Sequence, residues 1–151
     1  MKRITVLLAD DNQVVRKEFS KILELENDLE VVGEAKDGLE AVALVKKLHP
    51  ALVLMDVSLP LLNGLQATRL MLEIIPLLRT QSRPPATKVL MLSAHDDDAY
   101  VIGAVNSGAM GYLIKQTSAG NVCHAIREVD KGNTFFSPSI PSRLHKGNRK
   151  K

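Results

Sequence analysis

Five short aliphatic runs recur along the chain, and helical periodicity follows each of the first four and the last. The runs are "ITVLLA", "LEVVGEA", "ALVLMD", "KVLMLSA" and "GYLIK". A strand buried on one face alternates apolar and polar residues. "ALVLMD" and "KVLMLSA" are instead apolar almost throughout, as central parallel strands covered on both faces must be. Between the runs, apolar residues fall three and four apart. They are Val15, Phe19, Ile22 and Leu23 after the first, Ala41, Leu44, Val45 and Leu48 after the second, and Val122, Ala125, Ile126 and Val129 after the fifth. A third helix is expected from Asn63 or Gly64 to about Ile75, because Pro76 disfavours helical geometry at the residue before it. A fourth is expected within "DDDAYVIGAVNSGA", whose aspartates suit a helix N-terminus. Gly132 fits a C-cap. Right-handed crossovers then give a single doubly wound α/β domain, a five-stranded parallel sheet with five helices on its two faces.

The bulk numbers agree with one domain. The chain has 151 residues, 45% of them hydrophobic, and only 3% aromatic, so the core must be aliphatic. The single cysteine, Cys123, excludes an internal disulfide and falls in a helical pattern, where it reads as a small core hydrophobe. The first apolar run, Ile4 to Ala9, is too short for a signal peptide or a membrane span, so a cytoplasmic location is expected. Five of the 20 Lys and Arg, and none of the 17 acids, lie in residues 143–151. The rest of the chain is therefore mildly acidic, and the basicity belongs to a tail. Residues 1–133 are expected to form the domain and residues 134–151 a flexible basic linker, with phosphate contact to nucleic acid as the sharper alternative. Residues 76–87, "PLLRTQSRPPAT", read as a loop.

In an open parallel sheet, ligands bind beyond the carboxyl ends of the strands. The polar residues at those ends are Asp10 and Asp11 after the first strand, Asp56 closing the third, Ser93 ending the fourth and Lys115 after the fifth. Each alone is an ordinary turn, cap or solvated residue. Their convergence on one rim is what points to a site. Three carboxylates a few ångströms apart repel one another, and a divalent cation relieves this. All the candidate ligands are oxygens, which selects a hard ion, Mg²⁺ or Mn²⁺. His49, His95, His124 and His145 are scattered and are not spaced for zinc. A hard cation beside a hydroxyl and an ammonium suits a phosphoryl group. Lys115 would supply a point charge, Ser93 a hydrogen bond, and Asp56 the nucleophile.

In their order, "LLADDN", "VLMDVSLP", "VLMLSAHDDD" and "GAMGYLIKQ" resemble the receiver domain of two-component response regulators, over residues 3 to 133. The stretch "SAHDDDAYVIGAVNSGAMGYLIK" is most similar to receivers of the NarL/LuxR output class. The resemblance implies a flavodoxin-like fold with strand order 2-1-3-4-5. It implies that Asp56 accepts a phosphoryl group from a sensor histidine kinase or phosphotransfer protein. Asp11 and Asp56 would hold Mg²⁺, with Asp10 acting through water and the Ser58 main-chain carbonyl as a further ligand. Ser93 and Lys115 would sense the phosphoryl group, and Tyr112 would be the switch aromatic of a face made by the fourth helix, fifth strand and fifth helix. That face, or helices one and five, would serve a homodimer. Ser58 and His95, beside the site, would tune phosphoryl lifetime.

Some positions depart from the family pattern. Asp56 and Ser93 are 37 residues apart, several more than usual, and the excess lies in residues 76–87. Gln116 stands where many receivers have proline. The "FSPSIPSRLHKGNRKK" end resembles the linker that precedes a helix-turn-helix output domain, so DNA contact is expected only through a domain outside these residues. The chain then reads either as a receiver excised from a longer regulator or as a stand-alone receiver acting on protein partners. A phosphatase of the haloacid dehalogenase type would need a second aspartate two residues after Asp56, where Ser58 stands. A receiver that only binds partners would lack one of the acid pair, Asp56 or Lys115, and none is missing. A flavin or nucleotide carrier would need a Gly-rich loop where "DDNQ" follows the first strand.

Overall fold

The computed structural model describes residues 3–74, 87–94, 97–117 and 119–145. Strands and helices alternate: β1 (Ile4–Ala9), α1 (Gln13–Glu24), β2 (Leu29–Ala35), α2 (Gly38–Leu48), β3 (Leu52–Asp56), α3 (Gly64–Ile74), β4 (Lys88–Ser93), α4 (Asp98–Ser107), β5 (Gly111–Ile114), α5 (Ala119–Asp130) and β6 (Phe135–Phe136). The sheet runs β2-β1-β3-β4-β5-β6, every neighbouring pair parallel. The first five strands thus take the 2-1-3-4-5 order that the resemblance implied, and the sixth is a minor addition.

Strand pleating splits the aliphatic core into two layers. Val6, Leu8, Leu52, Leu54, Leu90, Leu92 and Leu113 point to the layer that holds Leu23 of α1 and Val122, Ala125, Ile126 and Val129 of α5. Cys123 is buried in the same layer, as expected for a small core hydrophobe. Leu7, Ala9, Val53, Met55, Val89, Met91 and Tyr112 point the other way, to Ala41 and Val45 of α2, Ala67 and Met71 of α3, and Val101 and Ala104 of α4. β3 is buried along its whole length. Its last residue therefore leaves the core at a fixed place, which is what the acid site requires.

Local chemistry sets the ends of the elements. The Asn12 side chain caps α1 by accepting from Val14 N at 2.9 Å and Val15 N at 3.3 Å. Asp37 caps α2 by accepting from Glu40 N at 2.7 Å. Gly132 closes α5 at φ +102°, with its N–H bonded to Val129 O, as its sequence position suggested.

The end of the chain differs from the sequence reading, which counted five strands and placed residues 134–151 in a flexible linker. Phe135–Phe136 adds a strand, Ser142–Leu144 forms a single 3₁₀ turn, and Ile140 and Leu144 are buried in the layer under α4. The physical reason is the sheet edge. β5 would otherwise present open backbone groups, and Phe135 N and Ser137 N donate to Met110 O and Tyr112 O at 3.2 and 3.0 Å. Residues 146–151 and the body of the 76–87 segment lie outside the described residues. Thr87, which ends that segment, is buried and donates to Pro50 O at 2.6 Å.

Leu144→Ala should lower unfolding stability by about 2–3 kcal/mol in urea titrations, the range for truncating a buried leucine. A loss under about 0.5 kcal/mol, the usual size of a surface effect, would return residues 134–145 to the status of a linker.

Candidate functional site

β1 and β3 lie side by side, so the turn after Ala9 and the end of β3 open on the same rim. Asp10 and Asp56 are both buried, 4% and 3% exposed, while Asp11 faces solvent. One carboxylate oxygen from each of the three lies within 4.8 Å of the others. The register of β3, β4 and β5 completes the rim. Leu92 sits opposite Asp56 and Ser93 opposite Ile114, so Ser93 and Lys115 fall just beyond the level of Asp56. The structure therefore brings together Asp10, Asp11, Asp56, Ser93 and Lys115.

Lys115 is the positive centre of this group. Its ammonium lies 3.1 Å from Asp10 Oδ2 and 3.4 Å from Asp56 Oδ2. Its backbone N–H is held by Ser93 O at 2.8 Å, which fixes the root of the side chain. Burial disfavours the ammonium, but Asp10 and Asp56 outweigh it and raise the Lys115 pKa. Burial likewise raises the Asp56 pKa, with Asp10 adding to it, against the Ser58 N–H and Lys115, which favour the anion. Asp56 Oδ1 accepts from Ser58 N at 3.1 Å. Asp10 Oδ1 accepts from Asn12 N at 2.9 Å. Asp10 Oδ2 is buried and makes no hydrogen bond of ordinary geometry; the lysine approaches it as an ion pair only.

The loop between β3 and α3 is shaped to bring a helix against Asp56. Pro60 O accepts from Leu62 N at 2.7 Å and Gly38 N at 3.3 Å, and Gly64 N donates to Val57 O at 2.8 Å. A Cβ on Gly64 would strike the Asp56 carbonyl oxygen, so only glycine allows this approach. Leu61 takes a positive φ of 67° and is 76% exposed, a bulky residue in backbone space that favours glycine or asparagine.

The remaining sequence candidates distribute as follows. The Ser58 side chain is exposed beside the site. His95 lies outside the described residues. Tyr112 is fully buried, inside the layer that contains Val101 and Ala104.

Sequence reading missed Arg16. Its Nη1 donates to Asp10 O at 2.6 Å and its Nε to Glu34 Oε1 at 2.9 Å, so it ties the acidic turn to the end of β2. The available signal was an arginine one helical turn after the Asn12 cap and an acid at the end of the strand that a 2-1-3 order sets beside β1.

A doubly wound sheet of this order, with acids and one lysine at its carboxyl rim, is the receiver architecture. Residues 6–127 match the response regulator receiver domain, and the chain belongs to that family. It is 36% identical over 148 residues, 98% of its own length, to the transcriptional regulatory protein DegU of Brevibacillus brevis, of which it covers 59%. It is 36% identical over 140 residues to the oxygen regulatory protein NreC of Staphylococcus carnosus, covering 92% of this chain and 60% of that one. The chain thus spans about three fifths of the length of these curated relatives. Among solved structures it is similar to the signal receiver domain of NarL from Mycobacterium tuberculosis, with TM-score 0.77, 31% identity, and coverage of 88% of this chain and 100% of that one. A LuxR-family response regulator from Aurantimonas sp. SI85-9A1 gives TM-score 0.82 at 28% identity, covering 95% and 96%. Its relatives are therefore regulators of the NarL, DegU and LuxR group.

Because burial raises the Asp56 pKa, its ionised form opposes folding at neutral pH. Asp56→Asn should raise the urea midpoint at pH 7. The gain should shrink as pH falls through the folded-state pKa, where the native wild type takes up its proton before the unfolded chain does. Equal midpoints at pH 7, or a destabilised variant, would contradict this.

Proposed function

We propose that the chain is a phosphoacceptor switch in a two-component relay, with Asp56 as the acceptor and a sensor histidine kinase or phosphotransfer protein as the donor. The observation that carries this reading is the setting of Asp56. It is a buried carboxylate with one oxygen on the Ser58 N–H, the other facing the Lys115 ammonium, and two further acids within 4.8 Å. In the transfer step an Asp56 oxygen attacks phosphorus. The new O–P bond forms as the P–N bond to the donor imidazole breaks, and the released imidazole picks up a proton. Lys115 holds the added negative charge, and Ser93, one residue beyond the position opposite Asp56, reaches a phosphoryl oxygen.

The donor set fits a hard divalent ion, Mg²⁺ or Mn²⁺. Every candidate ligand is oxygen, one oxygen from each of the three acids lies within 4.8 Å of the others, and the Lys115 ammonium, 3.1 Å from Asp10 Oδ2, is the one cation paired with them among the described residues. Asp10, Asp11, Asp56 and the Ser58 main-chain carbonyl would hold it. When bound, it would neutralise charge shared between the carboxylates and the phosphoryl oxygens. Phosphorylation serves the switch rather than turnover, so the chain is a signalling module with slow self-dephosphorylation, tuned by Ser58 and His95.

The switch runs from Ser93 and Lys115 into β5, where Tyr112 fills the layer against α4. The face made by α4, β5 and α5 and the face made by α1 and α5 are the two candidate homodimer surfaces. The relatives named above are transcriptional and regulatory proteins. The output proposed here is accordingly control of transcription, with DNA contacted by a domain beyond these residues. No helix among the described residues is long and apolar enough to cross a membrane, in keeping with a role in the cytoplasm.

A small acyl phosphate with Mg²⁺ should add one phosphoryl group to the wild type by intact mass and none to Asp56→Asn. Addition to the variant at the wild-type rate would remove Asp56 from the role.

A further inference from the structure

Ser137 lies in "FFSPSIP", a stretch whose prolines read as linker chemistry. In the structure it is buried, and both its backbone and its hydroxyl grip β5. Ser137 N donates to Tyr112 O at 3.0 Å. Ile114 N donates to Ser137 Oγ at 2.9 Å, and Thr117 Oγ1 lies 3.3 Å from the same oxygen. Thr117 also closes the turn on Ile114, its N–H and its hydroxyl both donating to Ile114 O at 2.9 and 2.5 Å. That turn contains Lys115. One buried serine therefore clasps the residues on both sides of the lysine that bridges Asp10 and Asp56.

The segment after Ser137 is anchored elsewhere. Ile140 and Leu144 are buried in the layer that holds Val101 and Ala104 of α4. Arg143 pairs with Asp98 in the first turn of α4 at 3.2 Å. The His145 ring stacks on Phe136 at 3.9 Å between centroids. The segment is thus hydrogen-bonded to β5 at one end and packed against α4 at the other, and it spans the two elements that the switch reading makes responsive.

We propose that residues 135–145 form a strap that reads the acid site through Ser137, and that phosphorylation of Asp56 loosens it. The inference rests on the phosphoacceptor reading given above. Added phosphoryl charge draws the Lys115 ammonium further into the rim. Ser93, whose carbonyl holds the Lys115 N–H at 2.8 Å, lies on the same rim, so its movement toward the phosphoryl group and the pull on the lysine are both passed to the turn from Ile114 to Thr117. The Ile114–Ser137 and Thr117–Ser137 contacts are short-range and directional, and a shift of a few tenths of an ångström in the turn weakens both. The strap then has different contacts in the two states of Asp56, which is what coupling between two places requires. It carries the state of the site to whatever the chain does beyond residue 145.

The test is hydrogen exchange by mass spectrometry on the full chain, with and without an acyl phosphate and Mg²⁺, with intact mass taken on the same samples. On phosphorylation, amides in residues 134–145 should exchange at least about three-fold faster, and Asp56→Asn should show no change. Ser137→Ala should still gain the phosphoryl group but exchange fast in both states, and Ser137→Thr should restore the difference. Arg143→Gln, which spares the clasp, should keep the phosphorylation-dependent difference and guards against a misfolded Ser137→Ala. A chain that carries the phosphoryl group by mass yet exchanges unchanged in the strap overturns the coupling and leaves Asp56 as acceptor. So does a Ser137→Ala protein that keeps the wild-type difference. A chain that takes up no phosphoryl group overturns the acceptor reading and the coupling with it.

Discussion

The ammonium of Lys115 sits 3.1 Å from one buried carboxylate and 3.4 Å from another, and much of the architecture follows from that contact. Asp10 and Asp56 leave the core at the ends of adjacent strands, where neither is fully hydrated. Ionised carboxylates in such a place are stabilised by charge and hydrogen bonding or not at all. Lys115 compensates part of the excess, and Ser58 N–H and Asn12 N–H compensate more. Asp11 brings a third carboxylate to the same place. Among the described residues the rim therefore sets three carboxylates against one lysine, and that excess is what a cation or a transferable group with its own cation can relieve.

The frame around this contact is stiff. β3 is buried throughout and flanked by β1 and β4, and side chains alternate into two mainly aliphatic layers in which Tyr112 is the one fully buried aromatic among the described residues. Close backbone approach at Gly64 locks the start of α3 against the carbonyl of Asp56. Arg16 fastens the Asp10 turn to Glu34. On the β5 side the supports differ. The turn after β5 is held by a few directional hydrogen bonds, several of them to Ser93 and Ser137. In the switch proposed above, displacement at the rim would therefore pass toward β5, α4 and the chain end rather than into β1 and β3.

Much of this was legible in the sequence because the relevant signals are local. The runs "ITVLLA" and "LEVVGEA" coincide with β1 and β2, and Gly132 announced the end of α5. The five rim residues could be assembled from strand order alone, since each follows or closes a strand. β6 was not legible. A two-residue strand has no periodicity, Pro138 and Pro141 read as breakers, and its pairing exists only because β5 offers an edge. Arg16 was missed because its partners, a main-chain carbonyl and Glu34, are neighbours only once β2 lies beside β1.

The central claim is that the three carboxylates and Lys115 form one electrostatic unit that a divalent ion completes. Calorimetric titration with Mn²⁺ and Mg²⁺ tests it most directly, comparing the wild type with Asp10→Asn, Asp11→Asn and Asp56→Asn. The account predicts one site per chain in the wild type and affinity lowered at least about ten-fold by each substitution, a loss of about 1.4 kcal/mol in binding free energy. Wild-type affinity in all three variants, or no saturable site in the wild type, would contradict it.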